Sequence, residues 1–508
     1  MGNFALLLDG FQIALTPMHI AIMVVGVLLG LVVGVLPGLG APNGVSLLIP
    51  LTFSMDPVSA IILLASMYWG ALFGGSTTSI LFNIPGEPSS VATTFDGYPM
   101  AHSGQATRAL TLAFMSAGTG ALVGVIVITL LSSWAAGFAL RFGAPEYFAV
   151  YFLAFCAFIG MGSAAPTKTA VSLLLGLALS SVGMDTITGS LRLTFGFSEL
   201  IGGISFLVVV IGLIGIGEIL MTVQHGLKFR GVGSRIDLRD VLRTIAEMPR
   251  YYMTLIRSCA VGVWMGITPG GPTAASFMSY GVARQWSRRG QAFGTGRPEG
   301  IVAPESADHS AGTCAMLPML ALGVPSSATA AVMMGGLMIW GLTPGPMLFS
   351  TKPDFVWGLI ASMYVSNIVA VILVLATVPM FAALLRIPFA IIGPMIVAIC
   401  FVGGYTVDSS AFDLWLVLGF GVVGFLFNKL DYPLAPLVLA MVLGHKAENA
   451  FYQSMIVSDG SVLVFWSNRL VGSIMTVALA LVVVPQLFRL VSRLRRGQRG
   501  TEFAWGSH

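Results

Sequence analysis

The stretch GVLPGLGAPNG, residues 34–44, places two prolines and four glycines inside an otherwise unbroken apolar run that begins at Met18. Proline removes a helical N–H donor, and glycine opens backbone conformations that other residues avoid. A membrane-length helix interrupted in this way leaves amides and carbonyls unpaired at the break. Hydrocarbon does not tolerate such groups, so the break is predicted to be buried in protein or to line a wet cavity.

Around this stretch the whole chain reads as membrane-embedded. Of 508 residues, 56% are hydrophobic and 9% charged, with a mean hydropathy of +0.91, whereas an ordinary soluble domain carries about 25% charged residues. Apolar runs recur at Met18–Leu36, Ala109–Leu131, Thr169–Val182, Gly203–Met221, Phe355–Ala382 and Val471–Phe488. The expectation is an all-α polytopic membrane protein with roughly ten to twelve transmembrane segments, among them broken helices or re-entrant hairpins. No basic start or small-residue cleavage pattern precedes the first run, so the first span is expected to stay in the fold. Cys156, Cys259, Cys314 and Cys400 lack CxxC or metal spacing and read as small core residues.

Charge adds topology. Lys228, Arg230, Arg235, Arg239, Arg243, Arg250 and Arg257 form one basic stretch, Arg284 to Arg297 a second and Arg489 to Arg499 a third. Each abuts an apolar span, which fits the positive-inside rule and not a nucleic-acid surface. The chain therefore divides into an N-terminal transmembrane half (1–222), a basic cytoplasmic linker with an interfacial helix (223–257), a C-terminal transmembrane half (258–488) and a basic cytoplasmic tail (489–508).

The halves echo each other. GVLPG at Gly34 to Gly38 returns as GITPG at Gly266 to Gly270, an offset of 232, and PSS at Pro88 returns at Pro325, an offset of 237. Two repeat-related halves are expected on this basis. In the second half, Arg257 and Arg284 should share the cytoplasmic face, and the residues between them are too few for two crossings of about 20 residues each. A re-entrant hairpin with TPGGPT at its tip is predicted, and the opening stretch has the same shape.

Four polar, glycine- and proline-rich stretches lie in apolar surroundings: PGLGAPNG, GGSTTSILFNIPGEPSS, TPGGPTAAS and PESADHSAGTCAMLPMLALGVPSS. They supply hydroxyls and amides, including Asn43, Ser76, Thr77, Asn83, Thr273, Thr313, Ser326 and Ser327. Broken helices aim positive N-terminal ends at carboxylates, while hydroxyl and carbonyl oxygens suit a hard cation such as sodium. Taken singly, each hydroxyl is also ordinary glue between membrane helices. Glu305, Asp308 and His309 are the densest ionisable group near an apolar segment. Buried, they mark a functional centre able to carry a proton; at the cytoplasmic surface they cost little. Neighbouring Ser306, Asp308 and His309 do not make a hydrolase triad without a G-x-S-x-G, and the P-loop, Rossmann and H-E-x-x-H patterns are absent. The chain is expected not to be an enzyme, to need no cofactor, and to draw energy from an ion gradient.

These residues bring a resemblance with them. The blocks ASMYWGALFGGSTTSILFNIPGEPSSVATTFDGYPMAHSGQATRAL, FGTGRPEGIVAPESADHSAG and LPMLALGVPSSATAAVMMGGLMIWGLTPGPMLF, with GVLPGLG, GITPG and ASMYVSN, together resemble the large membrane subunit of the tripartite tricarboxylate transporter family. The resemblance implies a bacterial inner-membrane secondary carrier for citrate-like or other small carboxylates, driven by sodium or protons. It also implies two partners, a small membrane subunit and a periplasmic solute-binding protein. An autonomous anion carrier and a non-transporting scaffold are the alternatives. The family's motifs fall on Pro37, Gly38, Gly40, Asn43 and Gly44; on Gly75, Ser76, Thr77, Asn83, Pro85 and Gly86; on Pro269 and Gly270; and on Pro304, Glu305, Gly323, Val324 and Pro325, which are taken as candidate lining. One departure concerns the ion: where the family reads A-P-E-[AS]-A-N-N-A, this chain has Asp308 and His309 in place of the two asparagines. Another is AHSGQATRAL, where His102 and Ser103 stand at positions expected to be basic.

Overall fold

The computed structural model describes residues 3–36, 40–161, 165–185, 189–225, 237–268, 271–287, 293–384 and 389–502. Pro37, Gly38, Pro269 and Gly270, at the two expected breaks, and 226–236 of the expected linker lie outside them. The first half holds α1 (Asn3–Ala14), α2 (Pro17–Val35), α3 (Gly40–Leu48), α4 (Pro57–Phe82), α5 (Val91–Met100), α6 (Ala106–Ala139), α7 (Ala144–Met161) and α8 (Pro166–Ser180). A two-residue antiparallel pair, Gly183–Met184 with Leu191–Arg192, precedes α9 (Phe206–Val210) and α10 (Gly217–His225), which a π-helical segment joins. Helix α11 (Leu238–Glu247) leads into α12 (Tyr252–Ile267), α13 (Gly271–Trp286), α14 (Glu299–Cys314), α15 (Met316–Leu322) and α16 (Ala328–Ile339). The rest is α17 (Pro346–Thr351), α18 (Pro353–Leu384), α19 (Phe389–Asp408), α20 (Ala411–Lys429), α21 (Leu434–Val457) and α22 (Arg469–Glu502). The expected tail from Arg489 thus starts inside α22.

The protein is an all-α polytopic membrane protein. Among the described residues, six helices are long and apolar enough to cross: Pro17–Val35, Pro57–Phe82, the run Pro88–Ala139, Phe206–Gln224, Pro353–Thr377 and Ala411–Lys429. Shorter apolar helices at Ala144–Ile159, Ala328–Ile339, Gly393–Thr406 and Arg469–Val484 account for much of the difference from the ten to twelve segments expected. The punctuation that breaks the spans also shortens them. All four cysteines are buried and unpaired.

Helix α4 is the axis of the bundle, with 94% of its apolar window buried. Its start is set by Asp56, whose carboxylate accepts from Val58 N at 3.1 Å and Ser59 N at 3.0 Å ahead of Pro57. Helix α2 lies against it in the same direction, with Gly26 beside Leu63, Gly30 beside Met67 and Gly34 beside Ala71. The four-residue glycine spacing brings the backbones so close that a Cβ at Gly30 would lie 2.1 Å from the Met67 carbonyl oxygen. Helix α14 runs the opposite way, with Gly312 at Tyr68, Thr313 hydrogen-bonded to Trp69 and Glu305 to Ser76.

Two helical hairpins are set on this antiparallel pair. In the first, α3 folds back so that Gly44 meets both Val33 of α2 and Met67 of α4. In the second, Ser279 of α13 donates to Ser258 of α12 at 2.7 Å, and the Arg257 guanidinium sits 4.4 Å from the Trp286 ring centroid. Because α12 runs parallel to α14, with Gly262 at Ala307 and Gly266 at Ala311, it is antiparallel to α2. The hairpins therefore enter from opposite ends of the bundle.

One carboxylate ties the halves together. Asp96 of α5, fully buried, accepts with Oδ1 from four consecutive amides, Gly294 at 2.9 Å, Thr295 at 3.1 Å, Gly296 at 2.9 Å and Arg297 at 2.7 Å. Its Oδ2 accepts from the Tyr280 hydroxyl at 2.9 Å. A run of amides turned toward one oxygen is an anion nest, here filled by the protein itself. Asp96→Ala removes the one oxygen that these four part-buried amides share and should lower stability by about 1–3 kcal/mol, with Asp96→Asn in between. Apparent melting temperatures of the detergent-purified variants check this, and unchanged values would mean that the nest contributes nothing.

Candidate functional site

The hairpin ends meet beside α4 and α14. The first hairpin reaches the level of Ala71 and the second that of Cys314. Glu305 and Gly312, which face the two ends, are seven residues apart on one helix line, or about 10 Å. Both returning arms begin with a glycine in the left-handed region, Gly40 at φ 61° and Gly271 at φ 64°, a conformation that favours a residue without a Cβ. Both central helices also end in a left-handed cap, α4 at Asn83 (φ 57°) and the α14–α15 helix at Gly323 (φ 67°).

At the first end the chain after Asn83 doubles back between α2 and α4. Gly86 passes so near α2 that a Cβ would lie 2.0 Å from the Gly34 carbonyl oxygen and 2.7 Å from Gly75 Cα. This close passage delivers Glu87, whose Oε1 accepts from Ala41 N at 2.5 Å, the first turn of α3. A carboxylate at a helix N-terminus is stabilised by the free amides and the dipole. The ligand that the sequence led one to expect at this break is thus a buried acid of the chain itself.

Glu305, Asp308 and His309 are fully buried, so the surface alternative does not hold. Glu305 accepts from Ser76 at 2.8 Å and from Thr93 at 2.6 Å. His309 packs against Phe73, ring centroids 4.6 Å apart, with Nδ1 3.2 Å from the Glu305 carbonyl oxygen, 3.9 Å from Glu305 Oε2 and 4.0 Å from Asp308 Oδ2. A neutral ring donating from Nδ1 to that carbonyl keeps Nε2 as a lone-pair acceptor. Ser89 faces Asp308, yet Ser89 Oγ, both Asp308 oxygens, His309 Nε2 and Tyr68 Oη complete no hydrogen bond among the described residues. Buried polar atoms are normally paired, and such a concentration of exceptions calls for an explanation.

At the second end, Ser326 donates to the Gly266 carbonyl at 2.6 Å and Ser327 lies against Gly271 while capping α16 through Ala330 N at 3.2 Å. Pro325 is buried in the same turn. Thr313 accepts from Trp69 Nε1 at 3.1 Å, and Thr273 is half-buried in the first turn of α13. Here a hydroxyl stands where Glu87 stands at the first end.

The remaining predicted residues have plainer places. Thr77 bonds back to Phe73 O at 3.1 Å within α4, Asn43 is buried in α3 with Gly44 packed on Met67, and Pro85 is half-buried. Asn83 is exposed and closes α4, away from the centre. Sequence reading passed over Glu87, Thr93, Tyr68 and Asp96. Two of them are acids in otherwise apolar or small-residue stretches, a signal that was available.

A family model described as the tripartite tricarboxylate transporter TctA family matches residues 20–439. An uncharacterised 52.8 kDa protein in the TAR-I ttuC' 3' region of Agrobacterium vitis is 38% identical over 479 residues, which cover 94% of this chain and 95% of that protein. An uncharacterised protein in the TAR-II ttuC' 3' region of the same organism is 34% identical over 227 residues, 44% of this chain and 94% of that protein. No solved structure matches.

The two hydroxyls on Glu305 can be tested directly. A Ser76→Ala, Thr93→Val protein leaves the buried carboxylate without donors and should lose about 1–3 kcal/mol for each bond removed. Adding Glu305→Leu removes the unpaired charge and should restore part of the loss. Thermal unfolding in detergent reads both effects, and additive losses without recovery would show that the hydroxyls act elsewhere.

Proposed function

Since the chain belongs to the tripartite tricarboxylate transporter TctA family, we propose that it is the translocating subunit of a binding-protein-dependent secondary transporter. It imports citrate-like tricarboxylates or other small carboxylates on a sodium or proton gradient. The observation that supports this reading most is the convergence of two broken hairpins, from opposite ends, on a buried centre with unpartnered polar atoms. Broken segments at such a centre are where transporters bind substrate and coupling ion.

The unequal hairpin ends divide the labour. The α3 N-terminus is occupied by Glu87, so the substrate carboxylate goes to the α13 N-terminus beside Ser326 and Ser327. Asp308 and His309, with Tyr68 and Ser89 nearby, hold the coupling cation or proton, a role for which an acid beside an imidazole suits a proton better than two amides would. The opposite entry of the hairpins and the paired left-handed glycines and caps support two halves related by inverted duplication. The Arg-rich stretches support a cytoplasmic central linker and C-terminus in a bacterial inner membrane. The partners are a small membrane subunit and a periplasmic solute-binding protein.

Liposomes containing the chain and its small membrane partner, with and without the binding protein, under separate sodium and proton gradients, test the reading with labelled carboxylates. Uptake should require the binding protein and one gradient. Uptake without the binding protein would make the chain an autonomous carrier, and none at all by a verified folded protein would make it a scaffold. An Asp308→Asn, His309→Asn protein should show a changed pH dependence of uptake, and an identical profile would remove the pair from ion coupling.

A further inference from the structure

Away from the hairpin centre, α21 carries Lys446, Asn449 and Gln453 at i, i+3 and i+7, one stripe of the helix. The stripe lines a cavity of about 630 Å³, together with Tyr147, Tyr151 and Thr343. A second cavity of about 290 Å³, lined by Phe206, Met338, Met441 and His445, also has Lys446 in its wall. The larger volume falls in the range of small-molecule sites, which run from about 300 to 1,000 Å³.

Lys446 is the unexplained charge in this wall. Its side chain is half-buried and forms no hydrogen bond or ion pair with any described residue. The acids nearby are engaged elsewhere: Glu448 with Arg192 at 2.5 Å, and Glu146 with Gly143 N at 2.9 Å and Asn468 at 2.8 Å. The ammonium lies 3.7 Å from where a Cβ would project at Gly323, close to the end of α15, yet it caps none of that helix's carbonyls. A lysine held in a wall with amides on the same stripe and no internal partner suits an anion from outside the chain.

Position gives the anion a role. Phe142 and Gly143, just beyond the end of α6, line the larger cavity, while Arg108 near the start of α6 pairs with Glu247 at 3.0 Å. The cavity is thus at the end of the bundle opposite the basic residues. The turn Gly323 to Ser327 runs from the Lys446 ammonium to Gly271 at the second hairpin end, a span of at most about 14 Å.

We propose that the cavity around Lys446 is a second carboxylate site, a vestibule that receives a small carboxylate before it reaches the hairpin centre. The vestibule rests on the reading of the chain as a carboxylate carrier. Lys446 holds one carboxylate group, Asn449 and Gln453 orient the molecule by hydrogen bonds, and the tyrosines enclose its carbon skeleton.

The full chain, purified in neutral detergent, is treated with an amine-acetylating reagent in the presence of citrate, malate, benzoate or inorganic phosphate, and acetylation is read by peptide mass spectrometry. At least one carboxylate should slow acetylation of Lys446 by fivefold or more without slowing that of the exposed Lys352. In wild-type protein its binding should be at least tenfold tighter than in Lys446→Gln, with Lys446→Arg close to wild type. Protection by none of the three carboxylates would overturn the proposal, and equal protection by phosphate would overturn the carboxylate assignment. Liposome uptake separates the two readings. Uptake with Lys446 unprotected removes the vestibule alone, whereas the absence of uptake removes the carrier reading beneath it.

Discussion

The hydrogen bond from Ala41 N to the Glu87 carboxylate is the interaction on which the centre of the bundle depends. A helix that stops inside a membrane leaves its first amides without partners, and nothing in the hydrocarbon can supply them. Glu87 does so from 46 residues away, and the chain can deliver it only because the turn before it squeezes past Gly34 and Gly75. The bond therefore fixes three things at once: where α3 starts, how the loop after α4 is threaded, and which pole of the first hairpin is closed to an external anion.

The same problem is solved differently at the second hairpin. Ser326 and Ser327 engage the end of α12 and the start of α16, and no carboxylate among the described residues plays the part of Glu87 there. Two hairpins of similar backbone, with matching left-handed glycines, thus present unlike ends. The frames are thus alike while their chemistry differs, with a carboxylate at one end and hydroxyls at the other. Asp96 repeats the theme at the end of the bundle, where an internal carboxylate satisfies four amides of a loop from the other half.

What the sequence made legible follows from how local each signal is. Proline and glycine act on their own backbone, so the breaks at residues 34–44 and 266–273 and the return of the chain could be read directly. Arg257 and Arg284 flank the second hairpin and are the basis for expecting its base at the cytoplasmic face; the first carries no such charges, and the opposite sense of the two hairpins emerges only from the packing of Gly26, Gly30 and Gly34 on α4 and of Gly262 and Gly266 on α14. Burial of Glu305, Asp308 and His309 depended on α14 being surrounded by α4, α6 and α12, which no window of sequence encodes. Glu87 and Lys446 were missed because their meaning depends on partners: one finds an amide 46 residues back, and the other finds none.

The acids at the centre differ in how fully the protein satisfies them. Glu305 is held by two hydroxyls and Glu87 by an amide, so both carboxylates have fixed surroundings. Asp308 and His309, one residue apart and 4.0 Å from oxygen to nitrogen, have oxygens and a ring nitrogen without partners. A group that must take up and release an ion cannot be saturated by the protein, because every internal bond would have to break on each cycle. Under the proposed carrier reading, Glu305 and Glu87 hold the frame while Asp308 and His309 are free to exchange an ion, and the departure from the asparagine pair then falls on the two exchanging positions.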